Sequence, residues 1–210
     1  MLLLIAGTYI SSLIGVTLAF ALPTPDNNAL VTKSENQITS ITIPPSNTTN
    51  NYGETLKLDF DAPIDPGVVD ESLKSLFKSE ESTLVRRLGP TYFSCEGSAD
   101  YSDSNGKLSL QYTCSSKYYL AWGFRISAPV QKIIAGLVSE RGLAWWRNGI
   151  KMPMNAPHPL VSKNYIFHGT MTGANPDTIV EYNDYITFRH NIGPGGSGSI
   201  YWQGKVHMLH

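Results

Sequence analysis

Cys95-Glu96-Gly97-Ser98-Ala99-Asp100-Tyr101-Ser102-Asp103-Ser104-Asn105-Gly106-Lys107-Leu108-Ser109-Leu110-Gln111-Tyr112-Thr113-Cys114 reads as a β-hairpin closed on itself. With Asp103-Ser104-Asn105-Gly106 as a four-residue turn, a composition that suits φ > 0 at its end, Ser102 faces Lys107. Tyr101 then faces Leu108, Ala99 faces Leu110, Gly97 faces Tyr112 and Cys95 faces Cys114. The other face carries Glu96, Ser98, Asp100 and Ser102 against Thr113, Gln111, Ser109 and Lys107. A slip of one residue would scramble this division into an apolar and a polar face. Directly opposed Cβ atoms also suit a disulfide. The expectation is a Cys95–Cys114 bridge, buried on the face turned toward the helices.

Upstream, Leu56, Leu58 and Phe60 alternate with Thr55, Lys57 and Asp59, a period-two strand beginning at Glu54. Asp65-Pro66 opens a helix with Val69, Leu73, Leu76, Phe77, Leu84 and Leu88 as its stripe, and Gly89-Pro90 stops it. Downstream, 118–124 reads as a buried strand. Ser127 caps a second helix with Val130, Ile133, Ile134, Leu137 and Val138 on one side and Gly142 at its end. Residues 143–163 read as an irregular connection and 165–171 as a strand.

At the C-terminus, Ile186, Phe188, His190 and Ile192 form the apolar side of one strand. Ile200, Trp202, Gly204, Val206 and Met208 form that of another, joined by a loop from Gly193 to Ser199. This order predicts an α+β fold: a mainly antiparallel sheet with two helices packed on one face, a two-layer sandwich.

The N-terminal stretch carries no charge before Asp26 and ends in Ala19-Phe20-Ala21, a small-x-small cleavage spacing. Residues 1–21 are therefore expected to be a signal peptide, 22–53 an extended Pro/Ser/Thr/Asn-rich leader or linker, and 54–210 a single domain. That predicts a secreted, extracellular protein with no stable membrane span once the signal is removed; the alternative is an uncleaved anchor. Asn47-Thr48-Thr49 is a glycosylation sequon. Arg86-Arg87 is a candidate processing site, but basic residues in a helix's last turn are explained by its dipole alone. A formal net charge of −1 gives no basic surface for general nucleic-acid binding.

Candidate chemistry is sparse. Gly193-Pro194-Gly195-Gly196-Ser197-Gly198 lacks the lysine and following helix of a phosphate loop and reads as a flexible hairpin loop. The histidines His158, His168, His190, His207 and His210 have no metal-ligand spacing, and no cofactor motif occurs. His190 falls on the apolar side of its strand, as a hydrogen-bonded core histidine would. In the register set by the long loop, Arg189 faces Gln203, Thr187 faces Lys205 and Tyr185 faces His207. That gathers a proton acceptor, a proton donor and cations, the set a metal-independent ribonuclease needs. His190, His207, Arg189 and Lys205, with Glu181 as the nearby carboxylate, are its candidate catalytic residues. Trp145, Trp146 and Arg147 are the candidate exposed aromatic patch, with Tyr185 and Gln203 as further binding candidates.

The leading functional expectation is a secreted non-enzymatic interaction protein, toxin- or effector-like, whose partner is an extracellular protein or glycan. The alternatives are the ribonuclease-like hydrolase and a carbohydrate-binding module built on Trp145 and Trp146.

Overall fold

A computed structural model describes residues 18–19, 30–34, 37–44, 52–77, 92–154, 161–162 and 165–210. In chain order its elements are β1 (Leu18–Ala19), β2 (Leu30–Ser34), β3 (Gln37–Ile43), β4 (Tyr52–Ile64), α1 (Pro66–Phe77), β5 (Tyr92–Phe93), β6 (Ser98–Ser102), β7 (Gly106–Thr113) and β8 (Tyr119–Ile126). These are followed by α2 (Ala128–Ile133), β9 (Val138–Glu140), β10 (Ala144–Arg147), β11 (Ile150–Lys151), β12 (Val161–Ser162), β13 (Ile166–Thr172), β14 (Ile179–His190) and β15 (Gly196–Met208).

Two sheets result. The smaller runs β13-β8-β7-β6. The larger runs β1-β2-β3-β4-β15-β14-β10-β11, with β5 parallel to the end of β15, β9 beside β14 and β12 beside β9. Strict alternation builds the smaller sheet. Leu108, Leu110 and Tyr112 of β7, and Leu120, Trp122, Phe124 and Ile126 of β8, are buried, while Lys107, Ser109, Gln111 and Arg125 are exposed. On the larger sheet Ile41, Leu56, Leu58, Ile186, Ile200, Trp202 and Val206 do the same. The sheets meet through aromatic rings. Phe124 stacks on Trp202 with centroids 5.1 Å apart, Trp122 lies 5.7 Å from the same indole, and Tyr52 lies 5.3 Å from Tyr101.

The α+β expectation is therefore corrected: the protein is mostly β-sheet, and the second layer over the larger sheet is another sheet, not two helices. The first helix starts as expected. Asp65 accepts the Gly67 amide at 2.7 Å, Pro66 takes the first position, and Val69 and Leu73 are buried. Its expected continuation through Leu84 and Leu88 to Gly89-Pro90 lies outside the described residues. The second helix is six residues long, less than half of the span expected between Ser127 and Gly142. Ser127 caps it, but Ile134 is already extended and bridges His190, while the Ala135 amide donates to the Arg189 carbonyl at 2.8 Å. The open edge of β14 captures the chain there, and Val138 becomes a strand residue rather than part of a helical stripe.

The stretch 22–53, expected as a leader outside the core, supplies β2 and β3, and Ile38, Ile41, Ile43 and Tyr52 are buried. The first hairpin has the expected register, with Ser98 opposite Gln111, Tyr101 opposite Leu108 and Ser102 opposite Lys107. Its turn differs. Asp103, Ser104 and Asn105 are buried and none of the four turn residues has φ > 0. The Cys95–Cys114 bridge is present, with a Cα–Cα distance of 5.7 Å, but Cys95 is exposed and Cys114 only half-buried. The expectation of a buried bridge is thus corrected: at Glu96 the chain turns out of the ladder with φ +59°, carrying Cys95 to the rim.

The C-terminal hairpin keeps its predicted faces but not its register. His190 pairs with Gly196, so Arg189 faces Ser197 instead of Gln203, a shift of six residues. The loop is 191–195, and Gly196 and Gly198 are strand residues. The expected flexible loop is packed at both glycines. A Cβ on Gly196 would lie 1.8 Å from the Asp59 carbonyl oxygen, and one on Gly198 would lie 2.3 Å from the Phe188 ring. The apolar segment 1–21 apart from Leu18–Ala19, the sequon at Asn47, Arg86-Arg87 and His158 lie outside the described residues. Among the described residues no helix is long and apolar enough to cross a membrane.

Candidate functional site

The outer face of the β14–β15 pair carries most of the residues singled out by the sequence, in a different arrangement. Glu181 lies opposite Lys205, Asn183 opposite Gln203, Tyr185 opposite Tyr201, Thr187 opposite Ser199 and Arg189 opposite Ser197. Arg189 and Lys205 therefore sit eight residues apart along the strands, roughly 26 Å at a strand's rise per residue. Each has its own carboxylate. Lys205 pairs with Glu181 at 2.7 Å, and Arg189 forms a two-pronged ion pair with Asp61, one prong at 3.2 Å. The Arg189 guanidinium holds the Asp61 carboxyl below its ordinary range. His207 lies beyond, opposite Ile179, its ring 5.4 Å from Tyr92. His190 points inward, buried, with Nε2 3.0 Å from the Asp59 carbonyl and its ring edge-on to Phe60. Burial pushes its pKa down. The expected acid–base set is thus dispersed along two strands and over two faces.

What this face does bring together is its middle. Tyr185 and Tyr201 are cross-strand partners, and Asn183 and Gln203 are the pair beside them. Arg141 donates to the Asn183 Oδ1 at 3.0 Å, and the Tyr201 hydroxyl donates to the Gln203 Oε1 at 3.1 Å. Gly53, the partner of Gln203 on β4, adds no side chain above the sheet. The expected aromatic patch is corrected. Trp145 and Trp146 lie on a strand, β10, which alternation divides between two faces. Trp145 is 3% exposed and donates to the Pro153 carbonyl at 2.9 Å. Trp146 is half-buried opposite Glu181, and Arg147 donates to the Gly173 carbonyl at 2.9 Å.

The inner face of the same sheet holds a group that no sequence motif marks. Glu54, Trp202 and Asp184 form one row across β4, β15 and β14; Tyr52, Gly204, Tyr182 and Trp145 form the next. Glu54 and Asp184 are 0% exposed and Glu140 on β9 is 4% exposed; Asp103 is buried as well. Among the described residues the buried ionisable side chains include four carboxylic acids and one histidine but no lysine or arginine.

Tyr52 donates a short hydrogen bond to Glu54. Burial outweighs it and raises the Glu54 pKa, with Asp103 adding to the rise. Burial likewise raises Tyr52 and Tyr182 and pushes Tyr101 up to about 12. Glu140 and Asp184 act on each other, and both are raised chiefly by burial; among the described residues neither carboxyl oxygen of Glu140 has a hydrogen-bond partner. Backbone amides favour charge on Asp184, including that of Tyr185 at 2.6 Å, and no such donor among the described residues reaches Glu140. Parity was the available signal: Glu54 is in phase with Leu56 and Leu58, Asp184 with Ile186 and Phe188, and Glu140 with Val138.

No group of three His, Cys, Asp or Glu side chains is placed to hold a metal ion among the described residues. The class the fold defines is a two-sheet β protein closed by one disulfide. Compared with protein-family models, with curated proteins and with solved structures, the chain matches none.

Proposed function

We propose that this protein is a secreted, non-enzymatic binding protein that engages a neutral glycan on the outer face of its larger sheet. One observation carries the reading: the directly opposed Tyr185–Tyr201 and Asn183–Gln203 pairs put two phenol rings and two planar amides side by side on a rigid β surface. Aromatic rings pack against the apolar faces of sugars, and amides match the donors and acceptors of sugar hydroxyls. Strand residues also lose little entropy on binding. The charged candidates flank this centre as closed ion pairs, and the Arg141 guanidinium reaches it at Asn183 as a further donor for hydroxyl groups. The disulfide supports an oxidising location outside the cell.

The test is retention on immobilised neutral polysaccharides and a neutral-glycan array. Binding is expected, with Tyr185→Ala and Tyr201→Ala each weakening it about tenfold, a loss of roughly 1.4 kcal/mol, while thermal stability stays near that of the parent protein. A folded protein that binds no neutral glycan overturns the glycan. Ribonuclease activity lost in Lys205→Ala and His207→Ala overturns the non-enzymatic reading.

A further inference from the structure

The larger sheet closes over the smaller with carboxylic acids in the contact, and nothing in the outer-face reading uses them. Glu54 reaches the interior from β4 beside Trp202, where the two sheets' aromatic rings meet. Asp103 reaches it from the turn between β6 and β7. Asp184 on β14 and Glu140 on β9, which lies opposite Ile186, are both buried where β9 docks on the edge of β14. We propose that these acids make the protein an acid-adapted sandwich, held together in acidic surroundings and loosened on neutralisation, with Glu54 and the Glu140–Asp184 pair setting the response.

The charged and titratable groups acting on Glu54 are Tyr52 on its own strand and Asp103 from the facing turn; Tyr182 and Tyr101 surround Tyr52. None supplies positive charge. Arg141, the one cation acting on the pair, reaches Asp184 from an exposed position and bonds to Asn183. At Glu54 and Glu140 no cation among the described residues acts on the buried carboxyl, and the cost of charging either is that of burying an unpaired charge.

The sign follows from linkage. In the unfolded chain these acids ionise near pH 4, whereas the folded protein retains the protons of Glu54 and Glu140, since burial raises both. Stability is full below the ordinary carboxylate range and is lost as pH rises above it. Each retained proton costs about tenfold in the folding equilibrium per pH unit. Buried His190 acts in the opposite sense, but only below about pH 6.5. The clean window is therefore pH 6.5 to 8.5.

The test is thermal unfolding of the full chain, followed by circular dichroism across that window. The melting temperature is expected to fall by at least about 5 °C from pH 6.5 to 8.5, the shift for one retained proton over two pH units in a protein of this size. Glu54→Gln and Glu140→Gln, which keep shape and remove the titration, are each expected to flatten the slope. A wild-type melting temperature that stays level or rises across the window overturns the proposal. Should either variant fail to fold, carbon NMR of the wild-type carboxyls decides: protons held on Glu54 and Glu140 at pH 7 support it, and titration at ordinary values overturns it.

Discussion

Phe188 lies directly across from Gly198, and its ring occupies the space that a side chain at Gly198 would need. Two pairs further along, His190 lies across from Gly196, which is closed from the other side by the Asp59 carbonyl of β4. An aromatic ring laid over a facing strand glycine restores packing that the glycine lacks. Here the arrangement also fixes where β15 begins and hence the register of the whole hairpin.

Gly196→Ala is expected to destabilise the protein by about 3 kcal/mol or more, because the new methyl group meets backbone that cannot swing away. Gly198→Ala meets only the edge of a ring. Combined with Phe188→Ala, it is expected to cost less than the sum of the two single changes. Chemical denaturation of the four proteins measures that coupling; strict additivity would refute the ring-over-glycine account.

The disulfide closes a loop with a sequence separation of 19, which in a chain-entropy estimate contributes about 3 kcal/mol. Cys95→Ser with Cys114→Ser is expected to lose that much while keeping the β-sheet spectrum. Because Cys95 is exposed, mild reductant should open the bridge in the folded protein. A reduction rate that tracks the global unfolding rate would contradict the exposed placement.

Trp145 and Trp146 separate cleanly. Trp145→Ala removes a buried indole and leaves the Pro153 carbonyl without its donor, at an expected cost of about 3–5 kcal/mol. Trp146→Ala uncovers a half-buried ring and is expected to cost roughly 1–2 kcal/mol. Urea midpoints of the two variants make the comparison, and equal losses would place both rings in one environment.

The parts of the fold legible in the sequence were those where alternation and turn agreed. The register of Ser98–Ser102 against Lys107–Gln111 was readable to the residue because the polar and apolar faces had no exception there, while the turn and the rim at Cys95 were not. At the C-terminus alternation gives the faces, but glycine-rich sequence reads as loop, and a shift of an even number of residues leaves the faces unchanged. Register there depends on packing around Gly196 and Gly198, which no periodicity encodes. Val130–Val138 matches a helical stripe, yet the open edge of β14 offers hydrogen bonds that a short β-branched segment takes instead. The inner acids are hidden in the sequence because charge is ordinarily a sign of exposure. Their parity said otherwise, but parity becomes decisive only once both faces of the sheet are known to be covered or open. On the outer face, Tyr185 and Gln203 were singled out, while their partners Tyr201 and Asn183 depend on the true register.

His190 offers a titration with the opposite sign from that of the acids. The Asp59 carbonyl can only accept, so Nε2 carries the hydrogen and the neutral ring leaves Nδ1 without a partner. Protonating Nδ1 would place a charge in the core. Burial is the main force lowering its pKa, Arg189 adds to it, and the Asp59 carbonyl and the Asp59 and Asp61 carboxylates oppose it. A depressed histidine contributes stability that is fully present above the unfolded value near pH 6.5 and is lost as pH falls through the folded value. His190→Gln keeps a donor for Asp59 and removes the titration. Its stability relative to the parent is therefore expected to improve as pH falls from 6.5, by up to about tenfold in the folding equilibrium per pH unit. Parallel denaturation curves at pH 7.5, 6.5 and 5.5 measure this, since acids common to both proteins cancel in the difference. A difference that stays constant over those three values would mean that the His190 ring titrates in the folded protein as it does in the unfolded chain.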